Sequence, residues 1–154
     1  MTGGTIVCGV NETVEGRGAA ELAAALGARL GLRLVLVHVL DGVPAAARES
    51  VSGRQHLRGA ERMLDGLANE LGDGAERRLV VGRRSDGIAS VAAEEGADVI
   101  VVGSRPAGLR GKTLRSRLAR ELEAATPVPV LVAPPATREH SARRLAVAAE
   151  RVAR

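Results

Sequence analysis

An α/β fold is predicted, with a five-stranded parallel sheet carrying helices on both faces. Three observations point to it. Short runs of β-branched and aliphatic residues alternate five times with longer stretches of helical periodicity, the pattern of successive strand–helix–strand units. Two of these runs, "RLVLVHVL" (Arg33–Leu40) and "DVIVVG" (Asp98–Gly103), are apolar at consecutive positions instead of alternate ones. Strands read that way when both of their faces are covered, as in a parallel sheet. Finally, 45% of the 154 residues are hydrophobic, yet Phe, Tyr and Trp are absent. The core must then consist of Val, Leu, Ile and Ala, which suits thin strand layers under closely packed, Ala-rich helices.

The elements follow in order. "TIVCGV" (Thr5–Val10) reads as a buried strand. The segment "NETVEGRGAAELAAALGARLG" offers Asn11 or Thr13 as a cap, and its Ala-rich helix stops at Gly31. Arg33–Leu40 is the second strand. From Asp41 to Gly53, Pro44 and Gly53 break the pattern, and this stretch is expected to be a mobile connection. "LRGAERMLDGLANELG" (Leu57–Gly72) is an amphipathic helix with Leu57, Met63, Leu64, Leu67 and Leu71 inward. "RRLVVG" (Arg77–Gly82) is the third strand. Ser85 is expected to cap the next helix, whose Ile88, Val91 and Ala92 share one face. Asp98–Gly103 is the fourth strand. "TLRSRLARELEAAT" is helical up to Pro127, and Val128–Ala133 is the fifth strand, placed at an edge by Pro129. Residues 1–135 thus form one α/β domain, and 136–154 a helical extension with a weak apolar stripe of Ala142, Leu145, Ala149 and Val152.

Ligands of such sheets sit at the carboxyl ends of the strands, where the strand order reverses. Those ends are Gly9–Thr13, His38–Asp41, Gly82–Arg84 and the chain from Gly103 onward. Beyond Gly103 the basic residues cluster: Arg105, Arg110, Lys112 (the only lysine), Arg115, Arg117 and Arg120, opposed locally by Glu121 alone. They describe either a solvated helix face or an anion site beside a glycine-containing loop. The net charge of +4 is too mild to imply nucleic-acid binding, and base-stacking recognition lacks its aromatic platforms. Cys8, the single cysteine, lies in an apolar run and reads as a core residue. No apolar run is long enough to cross a bilayer, and a reduced cytoplasm is the expected compartment.

Two phosphate-binding motifs fail on this loop. "GKT" at Gly111–Thr113 has the end of a P-loop, but the leading glycine would fall on Pro106. The first turn, "GVNETVEGRG", lacks the spacing of the dinucleotide fingerprint. His38 reads as a satisfied core or rim histidine, with no metal-ligand spacing around it. Ser104, His38 and Asp41 could be drawn as a Ser/His/Asp set, but G-x-S-x-G is missing. Glu94-Glu95 reads as a solvated helix end. No catalytic constellation is expected.

Residues 5–133 resemble the universal stress protein family. "IVCGVNET" is similar to its opening strand and turn, and "LVLVHVL" to its second strand. "VVGRRSDGIASVAAEEGADVIVVGSR" and "ATPVPVLVA" are similar to the third-strand-to-fourth-strand region and the closing segment. The resemblance implies an adenine nucleotide alpha hydrolase-like, Rossmann-like fold. It also implies a homodimer through the last strand, Val128–Ala133, and a stress-response role exerted by binding. Members of the family that bind ATP, with Mg²⁺, carry G-x2-G-x9-G-[ST] after the fourth strand and an Asp in the first turn. Carried onto this chain, the ligand would lie against Gly9, Val10, Asn11, Val39, Val102, Gly103, Pro106, Ser116, Arg117 and Leu118. The loop departs from that pattern. Gly103 matches, but Pro106 has no N–H to offer a phosphate. Aligned without a gap, Ser116 stands for the last glycine and Arg117 for the hydroxyl residue; shifted by one, Arg115 and Ser116 do. Asn11 stands for the Asp and can hydrogen-bond a ribose hydroxyl without charge. The implied alternatives are a dimeric interaction module that binds no nucleotide and a weak ATPase or adenylate-transferring enzyme on the same scaffold.

Overall fold

The computed structural model describes residues 3–11, 14–72, 74–104 and 117–134. The loop 105–116, with Pro106, Lys112 and Ser116, and the extension after Pro134 lie outside the described residues. Among the described residues, five strands and four α-helices alternate: β1 (Thr5–Gly9), α1 (Val14–Leu30), β2 (Arg33–Leu40), α2 (Val51–Leu71), β3 (Glu76–Val81), α3 (Arg84–Glu94), β4 (Val99–Gly103), α4 (Arg117–Ala125) and β5 (Val130–Ala133). The strands pair in parallel in the order β3-β2-β1-β4-β5. The order reverses between β1 and β4, which places the switch point in the middle of the sheet.

Consecutive residues of each central strand feed opposite cores. Ile6 and Cys8 of β1, Leu34 and Leu36 of β2 and Val101 of β4 pack with Ala19, Ala20 and Ala23 of α1 and with Leu64, Leu67 and Ala68 of α2. Val7, Val35, Val37, Val39, Ile100 and Val102 pack on the other face, with Ile88, Val91 and Ala92 of α3 and Ala119 and Leu122 of α4. This is why those runs are apolar throughout. Alanines let α1 lie close to the sheet, and Gly87 does the same for α3. A Cβ on Gly87 would come within 2.9 Å of Val39 Cγ2 and 3.3 Å of Val80 Cγ1. The thiol of Cys8 is fully buried, and burial pushes its pKa up to about 12. We therefore expect the folded protein to resist a maleimide at neutral pH and to react stoichiometrically once denatured, because only the thiolate attacks. Labelling of the native chain at the denatured rate would contradict this packing.

Several local expectations are corrected. The connection after β2 is shorter than its breakers suggest, since α2 begins at Val51, six residues before Leu57. Ser50 caps it, accepting a 3.0 Å hydrogen bond from Gly53 N. A 3-10 turn at Ala45–Ala47 precedes it. Gly53 is thus a residue of the helix's first turn and not a breaker. At α3 the cap residue is Arg83, which makes no side-chain cap bond, while Ser85 is buried inside the first turn. Pro129 precedes an edge strand as expected: β5 is outermost, and the Pro129 carbonyl accepts from Ile100 N at 2.9 Å. Glu94 and Glu95 are not simply solvated. Glu95 accepts from Arg33 Nη2 at 2.7 Å and from Arg78 Nη1 at 2.9 Å, Glu94 pairs with Arg78, and Arg33 also forks onto Glu76. The Arg33 bond, more than the Arg78 bond, holds the Glu95 carboxyl below the usual carboxylate range. These ties join the end of α3 to the starts of β2 and β3, at the end of the sheet opposite the switch point.

Candidate functional site

The site is built from the carboxyl ends of β1 and β4. Their pairing runs through Ile6↔Val99, Val7↔Ile100 and Cys8↔Val101. β1 continues beside β2 for one more residue, Gly9↔Val37, and Val10 N donates to Val37 O at 2.8 Å. So β1 keeps β2 as its neighbour after it has left β4, and the switch-point rule puts a ligand crevice between the chain after Gly9 and the chain after Val102.

Gly9 is where a side chain would not fit on the α3 side: a Cβ there would lie 2.8 Å from Ile88 Cδ1 and 3.4 Å from Val102 Cγ1. Val10 is buried. Its carbonyl accepts from His38 Nδ1 at 2.8 Å. A carbonyl only accepts, so Nδ1 carries the proton and His38 ties the end of β2 to the turn after β1. Asn11 is half-buried and folds against the first turn of α1. Its Oδ1 occupies the space a side chain on Gly16 would need, and a Cβ there would also come within 2.8 Å of Asn11 N. Gly103 is half-buried and pairs with Ala133.

Next in the chain is Ser104. It is 2% exposed, and among the described residues its Oγ has no hydrogen-bond partner. A buried hydroxyl without a partner costs about 1–3 kcal/mol, which makes Ser104 a candidate contact at the carboxyl end of β4. The sequence singled out Ser104 only as a nucleophile candidate. The structure does not support that pairing, because Ser104 and His38 share no hydrogen bond and His38 is engaged by Val10.

Of the residues carried over by resemblance, Gly9, Val10, Asn11 and Gly103 come together at the crevice. Val102 and Val39 are buried in the core on the α3/α4 side, Val39 beneath Gly87. Leu118 is half-buried against the same core. Arg117 opens α4, with its side chain 86% exposed, and its Nε donates to Glu121 Oε1 at 2.9 Å. Pro106 and Ser116 lie outside the described residues. Three residues outside the motifs, Arg83, Ser85 and Glu121, gather beside Arg117. The doublet Arg83-Arg84, placed directly after a strand's carboxyl end, was the available signal. Among the described residues, no group of three His, Cys, Asp or Glu could hold a metal ion, and no helix is long and apolar enough to cross a membrane.

Comparison with known proteins agrees with this architecture. Similar solved structures include the hypothetical protein MJ0577, at 19% identity and a TM-score of 0.73, covering 89% of this chain and 99% of that one. A universal stress protein from Archaeoglobus fulgidus in complex with dAMP is 22% identical with a TM-score of 0.63, covering 86% of this chain and 98% of that one. A universal stress protein in complex with cAMP is 20% identical with a TM-score of 0.64, covering 88% of this chain and all of that one. At these identities the likeness is one of fold. No curated protein matches the chain. The family model for the universal stress proteins matches residues 4–134. With that match spanning both halves of the switch-point crevice, the chain belongs to the universal stress protein family.

Proposed function

We propose that this protein is a stress-response regulatory module that binds an adenine nucleotide in the crevice between β1 and β4 and acts through binding, not turnover. The observation that carries the reading is the buried Ser104 hydroxyl beside Gly103, which has no partner among the described residues. A ribose or phosphate oxygen would supply its missing partner, and the small residue Gly103 lets a ligand approach the backbone at the end of β4. The solved relatives with dAMP and cAMP support the ligand class. Asn11, without charge, can bond a ribose hydroxyl, and Val10 gives the base an apolar neighbour at the end of β1 in place of an aromatic platform. ATP with Mg²⁺ is one form of this ligand. The protein works in the cytoplasm as a homodimer joined through β5, an edge strand whose Leu131 side chain is exposed; neither nucleic acid nor membrane is its partner.

Titration with ATP–Mg²⁺ and with AMP tests the reading, followed by calorimetry and by the amide resonances of Gly9, Val10 and Gly103. Saturable binding that moves those amides is expected. Ser104→Ala separates ligand from fold. It removes a buried group without a partner, so the unliganded protein should be as stable as wild type or more so, by up to about 1 kcal/mol. The same change should weaken the nucleotide by about fivefold, the worth of one hydrogen bond. Absence of saturation at millimolar nucleotide would assign the chain to the reading as an interaction module without nucleotide. Steady release of phosphate or pyrophosphate would favour the enzyme instead.

A further inference from the structure

Glu121 lies in the second turn of α4, and its carboxylate is where two elements from the carboxyl side of the sheet meet. Its Oε1 accepts from Arg117 Nε at 2.9 Å and lies 3.6 Å from Arg83 Nη2. The Ser85 side chain lies beside the same carboxylate. Arg83 is the cap residue of α3 and brings no side-chain acceptor to that helix start. The exposures are unequal. Glu121 is 28% exposed, whereas Arg83 is 63% and Arg117 86% exposed. The carboxylate is thus set in, and the cations around it face solvent. Two guanidinium groups converge on one oxygen, leaving a local excess of positive charge and several N–H donors directed outward.

We propose that Arg83, Arg117 and Ser85 form an anion subsite, that Glu121 fills it from within the chain, and that a phosphate group of a ligand displaces this carboxylate. A phosphate monoester carries about −1.5 to −2 charge at pH 7 and three acceptor oxygens, a better match for two arginines than one carboxylate. Only α4's own turn of helix tethers Glu121 to Arg117, so the exchange needs side-chain rotation and no movement of the sheet. Glu121 is then a built-in competitor that sets how strongly an anion must bind before the cluster accepts it. The identification of that phosphate as part of a nucleotide rests on the function proposed above; the subsite itself does not.

The test uses the whole protein, inorganic phosphate as the probe and low ionic strength, since screening would mask exposed charges. Glu121→Gln keeps the side-chain shape and removes the competing charge. Its phosphate affinity should rise about threefold over wild type, the scale of one exposed ion pair. The resonances of Arg83, Ser85 and Arg117 should move with the titration. Adding Arg83→Ala to Glu121→Gln should abolish the gain. Equal phosphate affinity in wild type and Glu121→Gln would overturn the proposal, as would a gain that survives Arg83→Ala. If Glu121→Gln does not fold, phosphate added to the wild type must still shift Arg83 and Ser85; unshifted resonances there refute it. A parallel AMP titration separates the two proposals. AMP that moves Gly9 and Gly103 while phosphate leaves Arg83 unmoved keeps the nucleotide and removes the subsite. The reverse result keeps the subsite and removes the nucleotide.

Discussion

Replacing Leu36 by alanine is expected to destabilise the protein by about 3 kcal/mol, the middle of the range for large-to-small changes in a well-packed core. Leu36 is fully buried at the centre of the sheet. On β2 it sits between Cys8 of β1 and Arg77 of β3, on the face covered by α1 and α2. Truncation removes about three methylene-equivalents of transfer energy and leaves a cavity. The parallel sheet cannot close that cavity, because both neighbouring strands are held by their ladders. For a chain of this size the thermal midpoint should fall by roughly 10 °C. Leu30→Ala is the matched control. Leu30 is 65% exposed at the end of α1, away from the proposed dimer edge, and its loss should cost less than about 1 kcal/mol. Equal losses at the two positions, by urea denaturation at fixed protein concentration, would contradict the burial on which the fold assignment rests.

Gly53→Ala is expected to destabilise, although helix propensity alone predicts a gain of about 1 kcal/mol. Gly53 lies in the first turn of α2 and donates its N–H to the cap, Ser50 Oγ. An added Cβ would overlap the carbonyl oxygen of Ala47 and lie 2.9 Å from its carbon. That oxygen already accepts from Ser50 N at 3.2 Å and Ser50 Oγ at 2.6 Å. The methyl group must therefore push the 3-10 turn away and break the cap. Strain of about 1–3 kcal/mol and loss of a cap of about 1 kcal/mol together exceed the propensity gain, so the net sign is unfavourable. Gly59 and Gly66 supply the contrast in the same helix: a Cβ at either meets nothing within 4 Å. Alanine there should stabilise by up to about 1 kcal/mol each. Three stabilising glycine substitutions would show that the close approach of Ala47 to α2 is wrong.

The reasons for the shorter-range corrections are of one kind. Strand limits differ from the apolar runs by a residue or two because hydrophobicity marks burial, whereas a strand ends where its neighbour stops pairing. Val10 is as apolar as Val7, but β4 has already diverged from it. Ser85 has the residue type of a cap, yet it lies one position inside the turn, where its side chain sits beside Glu121 of another helix. Gly53 has the type of a breaker, and a contact with a residue six positions earlier gives it a different use.

Hydrophobic patterning along the chain was enough to give the alternation of five strands and four helices, the two-faced core of Val, Leu, Ile and Ala, the edge position of the strand after Pro129 and the burial of Cys8. Each of these follows from local periodicity or residue type, which act over a few residues. The crevice, the tautomer of His38, the unpartnered hydroxyl of Ser104 and the meeting of Arg83, Arg117 and Glu121 depend on strand order and on how helices from different parts of the chain pack. Val10 and His38, 28 positions apart, and Arg83 and Glu121 became neighbours there, and nothing in the spacing along the chain carries those meetings.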